Sequence, residues 1–176
     1  MAANVVFEPV SPAAATDPVL RSQLIDVWVA ATNAGGAVGF VPPAPLSEIA
    51  ATLDAAIARV VAGQDSLGIL RIGDAAVGMG FLVSNGRLLQ AHWRTVLRVM
   101  VHPDHQRTGA GRVLMTGLHQ QAAELGLEHL MLTIRDGLQL ERFYESFGYE
   151  VVGRHPGAIR VSPGDDRDEI MLVARL

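Results

Sequence analysis

A polar loop with two glycines lies past the middle of the chain, where residues 102–112 read HPDHQRTGAGR. Apolar residues precede it, and Gly109 and Gly111 lead into an apolar run of helical period. The first N–H groups of a helix have no partner within the helix, and the helix dipole adds partial positive charge there. Glycine lets a ligand approach the backbone, and Arg107 and Arg112 can add charge-assisted hydrogen bonds. The pattern favours binding of a phosphate or pyrophosphate.

Two other interpretations of the loop have to be weighed. A strand–turn–helix connection with two glycines also occurs in α/β domains that bind no ligand at this point. His102 and His105 resemble metal ligands, but two histidines without a third nearby ligand are not typical of a metal site. We therefore predict no metal here.

The composition restricts the chemistry further. All 14 basic residues are arginine, which excludes a phosphate loop of the GK[ST] type and a Schiff-base lysine. The absence of cysteine excludes disulfides, thiolate metal sites and a cysteine nucleophile. A net charge of −4 without a basic run argues against nucleic-acid binding. No apolar run approaches the roughly 18 residues of a membrane span, and no signal peptide is evident, so we expect a cytoplasmic protein.

The elements that would position the loop follow from apolar periodicity. Helices are predicted from the cap Asp17, from Ser47, and from Gly109 to Gly126, with a short one in GLQLERFYESFG. Strands are predicted in NVVFEPV, SLGILRIG, AAVGMGFLVS, WRTVLRVMVH, EHLMLTI, YEVVGR and DEIMLVARL. The last two would be joined by the loop HPGAIRVSPGDDR. The order β, α, α, β, β, β, α, β, α, β, β predicts one mixed α/β domain over residues 1–176.

The run LRVMVHPDHQRTGAGRVLM resembles the acetyl-CoA-binding motif of the GNAT superfamily of N-acetyltransferases, whose core is [RQ]-x-x-G-x-[GA]. Downstream, FYESFGYEVVGR is similar to the FY-x-x-x-G-F/Y helix and strand of the same superfamily. These motifs cover about residues 93–154, and the element order extends the resemblance across most of the chain. Shorter segments, GGAVGF, VGRHPGAI and PGDDRDEIML, are similar to a branch that contains tabtoxin-resistance acetyltransferases.

The resemblance implies a fold and a co-substrate. The fold would be a GNAT domain, in which a mixed, mostly antiparallel sheet with a splayed strand pair is flanked by helices. The co-substrate would be acetyl-CoA, with no metal. Its pyrophosphate would lie on the backbone N–H groups of Gln106, Arg107, Thr108, Gly109, Ala110 and Gly111. Its pantetheine arm would pair with Val99, Met100 and Val101, which are splayed from the strand through Leu130–Ile134.

The resemblance also implies a mechanism, in which an amine attacks the thioester directly in a ternary complex. Tyr144 would be the general acid that protonates the leaving thiolate, and a backbone N–H near Val101 would stabilise the oxyanion. The general base is not carried over, because the position of the carboxylate in the tabtoxin-resistance branch holds Thr133 here. Asp136 is either the base or the cap of the following helix, and His102 acting through a water is a further alternative.

The resemblance implies an acceptor site between the first two helices, in GGAVGFVPP with Phe40 as an apolar wall, and in the late loop. Asp165, Asp166 and Asp168 of that loop either attract a cationic amine or form a solvated turn. The predicted function is acetyl-CoA-dependent N-acetylation of a small-molecule amine. The alternatives are acetylation of a peptide or protein amine, and non-catalytic binding of acyl-CoA. The residues themselves indicate no oligomeric state, and the resemblance adds a homodimer as one alternative, because homodimers are common in this superfamily.

Overall fold

A computed structural model describes residues 4–176, and its helices and strands follow the predicted order. The strands are β1 (Val6–Val10), β2 (Ser66–Ile72), β3 (Ala75–Val83), β4 (Trp93–Val101), β5 (His129–Arg135), β6 (Glu150–Ser162) and β7 (Asp165–Arg175). The helices are α1 (Pro18–Asn33), α2 (Leu46–Val61), α3 (Ala110–Glu124) and α4 (Glu141–Glu145). No helix within the described residues is long and apolar enough to cross a membrane.

Local signals set most of these boundaries. The Asp17 carboxylate accepts the N–H of Val19 at 2.9 Å, and Pro18 occupies the first helical position, so the cap predicted for α1 is confirmed. Helix α4 is a single short turn with Leu140 at its N-cap, shorter than the segment predicted for it.

The seven strands form one sheet in the order β1-β2-β3-β4-β5-β7-β6. Every neighbouring pair is antiparallel except β4 and β5, which are parallel. The predicted mixed, mostly antiparallel sheet is therefore confirmed.

The late loop predicted over HPGAIRVSPGDDR is wrong, because most of this segment is strand. Strand β6 continues to Ser162 and pairs with β7 from its first residue, Asp165, so that only Pro163 and Gly164 form the turn. The register shifts between His155 and Ile159 take up a proline and a glycine that would otherwise break the ladder.

Helices cover the sheet on both faces. Side chains of α1 and α2 form one core with the β2–β4 part of the sheet, and we call this side the α1/α2 face. Side chains of α3 and α4 form the other core, which includes Leu130, Leu132 and Ile134 of β5 and Ile170 of β7, and we call it the α3/α4 face. Because side chains alternate along a strand, Thr133 of β5 points to the α1/α2 face.

Candidate active site

Strands β4 and β5 diverge soon after they begin. They are paired at only three positions, Trp93 with His129, Arg94 with Leu130, and Thr95 with Met131. Beyond these pairs β4 stays with β3 as far as Val101, and β5 stays with β7 as far as Arg135. The sheet therefore opens into a split between two parallel strands. The predicted separation of Val99–Val101 from the strand through Leu130–Ile134 is confirmed.

A bulge in β4 lies beside the split. The β3–β4 register shifts between Met79 and Phe81, and Arg98 takes a φ of +55°. Such a conformation costs a non-glycine residue about 1–3 kcal/mol. The Arg98 guanidinium lies 5.5 Å from the ring centre of Trp28 and 5.7 Å from that of Phe81, so cation–π contacts hold it in place. Burial lowers the pKa of Arg98.

The end of β4 directs a backbone donor into the split. The N–H of His102 donates to the Val77 carbonyl of β3 at 2.8 Å. Because backbone groups alternate in direction along a strand, the N–H of Val101 points away from β3 and toward the split. The Val101 carbonyl accepts the Gln106 side-chain amide at 2.9 Å, which fastens the following loop to this strand.

The loop between β4 and α3 presents a row of backbone donors. The N–H of Gln106 donates to the Pro103 carbonyl at 3.2 Å, and the first N–H groups of α3 with internal partners are those of Arg112 and Val113. Within the described part of the chain, no acceptor lies in hydrogen-bond range of the five N–H groups of residues 107–111. Of the six N–H groups predicted to bind a phosphate, that of Gln106 is thus bonded within the loop.

The backbone conformation makes this row concave. Arg107 has a φ of +59° and Gly109 a φ of +91°, and left-handed residues among right-handed ones turn successive N–H groups toward one point. A side chain at Gly109 would meet no other atom, so the positive φ is what requires glycine there. At Gly111 an added Cβ would lie 3.4 Å from the ring of Phe143, which shows how closely α3 approaches α4.

Tyr144 of α4 is buried on the α3/α4 face, with 8% of its surface exposed. Its ring packs against Phe143 and Tyr149, with centre distances of 5.1 and 5.8 Å. The Tyr144 hydroxyl forms no hydrogen bond with residues 4–176. The oxygen is not fully buried, so the small exposed area of this side chain includes its hydroxyl. Burial raises the pKa of Tyr144 to about 12.

The neighbouring Tyr149 is held differently. Its hydroxyl lies 3.2 Å from Nε2 of His119. Burial raises the pKa of Tyr149 well above its usual value and lowers that of His119. Tyr149 is therefore a packed core residue, whereas Tyr144 keeps its hydroxyl available.

Asp136 is part of an ion-pair cluster. One carboxylate oxygen lies 2.9 Å from Nη1 of Arg154, and the same nitrogen lies 2.8 Å from Asp168. The prediction that Asp136 caps the following helix is wrong, because the N-cap of α4 is Leu140 and no side chain caps it. Both oxygens of the Asp136 carboxylate are thus engaged, one by Arg154 and the other by the N–H of Gly137.

The acidic segment before β7 consists of ion pairs. Asp165 pairs with Arg167, and Asp166 with Arg160 at 2.7 Å, and the arginines hold the pKa of both aspartates below the usual range. Glu169 has a different partner: its Oε1 accepts the Thr133 hydroxyl of β5 at 3.0 Å. No short sequence pattern predicts this contact, because only the β5–β7 register brings the two residues together.

A groove of about 430 Å³ lies on the α1/α2 face, between α2 and the strands beside it. Its lining includes Thr52, Ala55, Val83, Leu97 and Arg98. Phe40, predicted as an acceptor wall, is half-buried and packs against Trp28 at a ring-centre distance of 5.8 Å. It does not line this groove, and its part in acceptor binding stays a prediction. In the described residues, no three potential metal ligands of the His, Cys, Asp or Glu type converge.

Residues 43–157 match the model of a family described as an acetyltransferase (GNAT) domain, which covers nearly two thirds of the chain. No curated protein sequence matches the chain. The fold is similar to that of many solved structures. A GNAT-family acetyltransferase of Streptococcus pneumoniae has a TM-score of 0.77 at 13% identity, with 98% of this chain and 100% of the other covered.

Two similar structures were solved with a CoA ligand. The yncA protein of Salmonella typhimurium, solved with its cofactor acetyl-CoA, has a TM-score of 0.75 at 17% identity, covering 98% of this chain and 94% of the other. An aminoglycoside 6'-N-acetyltransferase in complex with coenzyme A has a TM-score of 0.73 at 16% identity, covering 97% of this chain and 96% of the other.

Tyr144 and Tyr149 are the only two tyrosines, so their ionisation can be followed by phenolate absorbance near 295 nm. We expect the folded protein to show almost no phenolate at pH 11, because burial raises the pKa of both side chains. The unfolded chain should ionise both near pH 10. Because the tyrosine pKa values are higher in the folded state, the tyrosines of the unfolded chain lose their protons first as the pH rises. The free energy of unfolding should therefore be unaffected by these groups below about pH 10 and fall as the pH rises toward 12.

The measurement is a pH jump followed by absorbance, with the protein in urea as the unfolded control. A folded-state midpoint near pH 10 for either tyrosine would contradict the burial described above.

Proposed function

The chain belongs to the GNAT acetyltransferases, and on that premise we propose that it transfers the acetyl group of acetyl-CoA to the amine of a small molecule. The observation that carries the proposal is the concave row of five unpartnered N–H groups at residues 107–111, at the end of a strand that borders a split in the sheet.

The proposed donor site fits the chemistry of CoA. A pyrophosphate needs several hydrogen-bond donors at one point, and the loop offers five N–H groups at a helix N-terminus, with Arg107 beside them. The pantetheine arm would run along β4 in the split by strand addition. Because backbone groups alternate in direction along a strand, the N–H and C=O groups of Val99 and Val101 point to the split, whereas those of Met100 point to β3.

Tyr144 is the proposed proton donor to the sulfur. When acetyl-CoA is bound, it supplies a thioester carbon for the amine to attack. The pKa of about 12 keeps Tyr144 protonated at neutral pH. Full transfer to a free thiolate, whose conjugate thiol has a pKa near 8.5, would be uphill by about 5 kcal/mol. Tyr144 would therefore act chiefly as a hydrogen-bond donor while the bond to sulfur breaks, and the Val101 N–H would donate to the thioester oxygen.

The groove supports a small acceptor over a protein or peptide. Its volume of about 430 Å³ lies within the roughly 300–1,000 Å³ that is usual for small-ligand sites. A basic peptide would need a groove lined by free carboxylates. The carboxylate in the lining of this groove, Asp65, is paired with Arg59 at 2.6 Å. The narrower similarity to tabtoxin-resistance acetyltransferases stays a prediction, and so do the homodimer and the cytoplasmic location.

The loop is tested by a double charge change. We expect Arg107→Glu combined with Gly109→Glu to weaken acetyl-CoA binding by at least about 100-fold, equivalent to about 2.7 kcal/mol, because two carboxylates would face the pyrophosphate. Isothermal titration calorimetry gives the dissociation constant directly.

The matched control is Gly86→Glu combined with Arg87→Glu. Gly86 also has a positive φ with open space around it, and Arg87 is an exposed arginine beside it, far from the loop in sequence. Binding should be unchanged in this variant. Equal affinity of the loop variant and the wild type would reject the proposed placement.

The activity is tested with acetyl-CoA and a panel of small amines, peptides and aminoglycosides. We expect release of free thiol that depends on a small amine and matches the acetylated product mole for mole. Tyr144→Phe should lower kcat by about 10- to 100-fold, because the hydrogen bond to the sulfur is lost, and should leave the Kd for acetyl-CoA unchanged.

Tyr149→Phe is the control, since that hydroxyl is bonded to His119, and its kcat should stay near that of the wild type. Binding of acetyl-CoA without turnover of any amine would favour the non-catalytic alternative. Turnover of peptides in preference to small amines would favour the protein acetyltransferase.

A further inference from the structure

Glu169 of β7 is held by a neutral partner on a strand that borders the split. Its carboxylate accepts the hydroxyl of Thr133 at 3.0 Å, and Thr133 lies on β5. Glu169 is half-buried and forms no ion pair with residues 4–176, unlike the three aspartates at positions 165, 166 and 168.

Both residues point to the α1/α2 face. Thr133 lies between Leu132 and Ile134, and Glu169 precedes Ile170, and all three apolar side chains belong to the core on the opposite face. Tyr144 belongs to that opposite core as well. A carboxylate and a phenol thus approach the split from opposite sides of the sheet.

The position of Glu169 along the split matches that of the groove. Thr95 is paired with Met131, so two residues further on Leu97 lies level with Thr133 across the opening. Leu97 lines the groove beside α2. An amine reaching the split from the groove would have Thr133 and Glu169 on its far side. Thr133 is exposed and Met171, next to Glu169 on the same face, is 41% exposed, so solvent reaches this side of the two strands.

The arginines nearest to the Glu169 carboxylate are bonded to other groups. Its register partners are Arg135 on β5 and His155 on β6. Arg135 donates to the Gly35 carbonyl at 3.2 Å and does not reach the carboxylate, and Arg167, two residues away on β7, is paired with Asp165. Among the described residues, the hydrogen-bond partner of the Glu169 carboxylate is therefore the neutral Thr133 hydroxyl.

We propose that Glu169 is the general base, which accepts the proton of the acceptor ammonium group; this inference rests on the proposed function. The nitrogen loses one proton to the Glu169 carboxylate, and its lone pair forms the C–N bond to the thioester carbon. The C–S bond breaks, and its electron pair stays on sulfur. The second proton lost by nitrogen ends on that sulfur as the thiol, and Glu169 returns its proton to water.

The test compares Glu169→Gln with the wild type on the best small amine. At pH 7 the variant should lose about 100-fold in kcat/KM, while the Kd for acetyl-CoA stays within about twofold. The deficit should narrow as the pH approaches the pKa of the amine, because the nucleophile then arrives already neutral. Thr133→Val should lose about 3- to 10-fold, because the carboxylate is no longer oriented, and Glu169→Asp should retain part of the activity.

Glu150→Gln is the matched control, because it makes the same change of glutamate to glutamine on an exposed side chain of the same β6–β7 hairpin, and its kinetics should be those of the wild type. Wild-type kinetics in Glu169→Gln would overturn the assignment, and so would a loss in Asp136→Asn without one in Glu169→Gln. If Glu169→Gln does not fold, wild-type pH profiles in Glu169→Asp and Thr133→Val would overturn it. A wild-type protein that acetylates no amine would refute the proposed function itself, which is a distinct result.

Discussion

The separation of β4 from β5 is the constraint on which the rest of the site depends. The two strands are paired only as far as Thr95 and Met131, and each then has another partner that holds it. On the β4 side the bulge at Arg98 is fixed by two aromatic rings, and the Gln106 amide ties the next loop to the strand end. Each strand is thus held by its other neighbour, and the Val101 N–H is directed into the split.

The split divides the proposed chemistry between the two faces of the sheet. On the α3/α4 face lie the N-terminus of α3 and the Tyr144 hydroxyl, which would serve the donor. On the α1/α2 face lie the groove beside α2 and the carboxylate of Glu169, which would serve the acceptor. In this arrangement the amine and the leaving sulfur meet separate side chains, so proton removal and proton donation do not compete for one residue.

Features set by local sequence were predicted well, and features set by pairing between distant segments were not. The Asp17 cap, the left-handed Gly109 before α3 and the order of elements all follow from short patterns. The β6–β7 hairpin was expected to be a loop, because Pro156 and Gly157 break a strand pattern that the ladder with β7 restores. The contacts of Asp136 with Arg154 and of Glu169 with Thr133 depend on the register of three strands, which periodicity cannot reveal.

The central claim, that the backbone of residues 107–111 binds the pyrophosphate of CoA, is tested most directly by the amide NMR spectrum of the ¹⁵N-labelled protein titrated with CoA. We predict the largest shifts at the N–H groups of Arg107–Gly111, together with that of Val101. Pantetheine, which lacks the pyrophosphate, should move Val101 and leave the loop nearly unchanged. CoA binding that shifts other amides while those of residues 107–111 stay in place would contradict the claim.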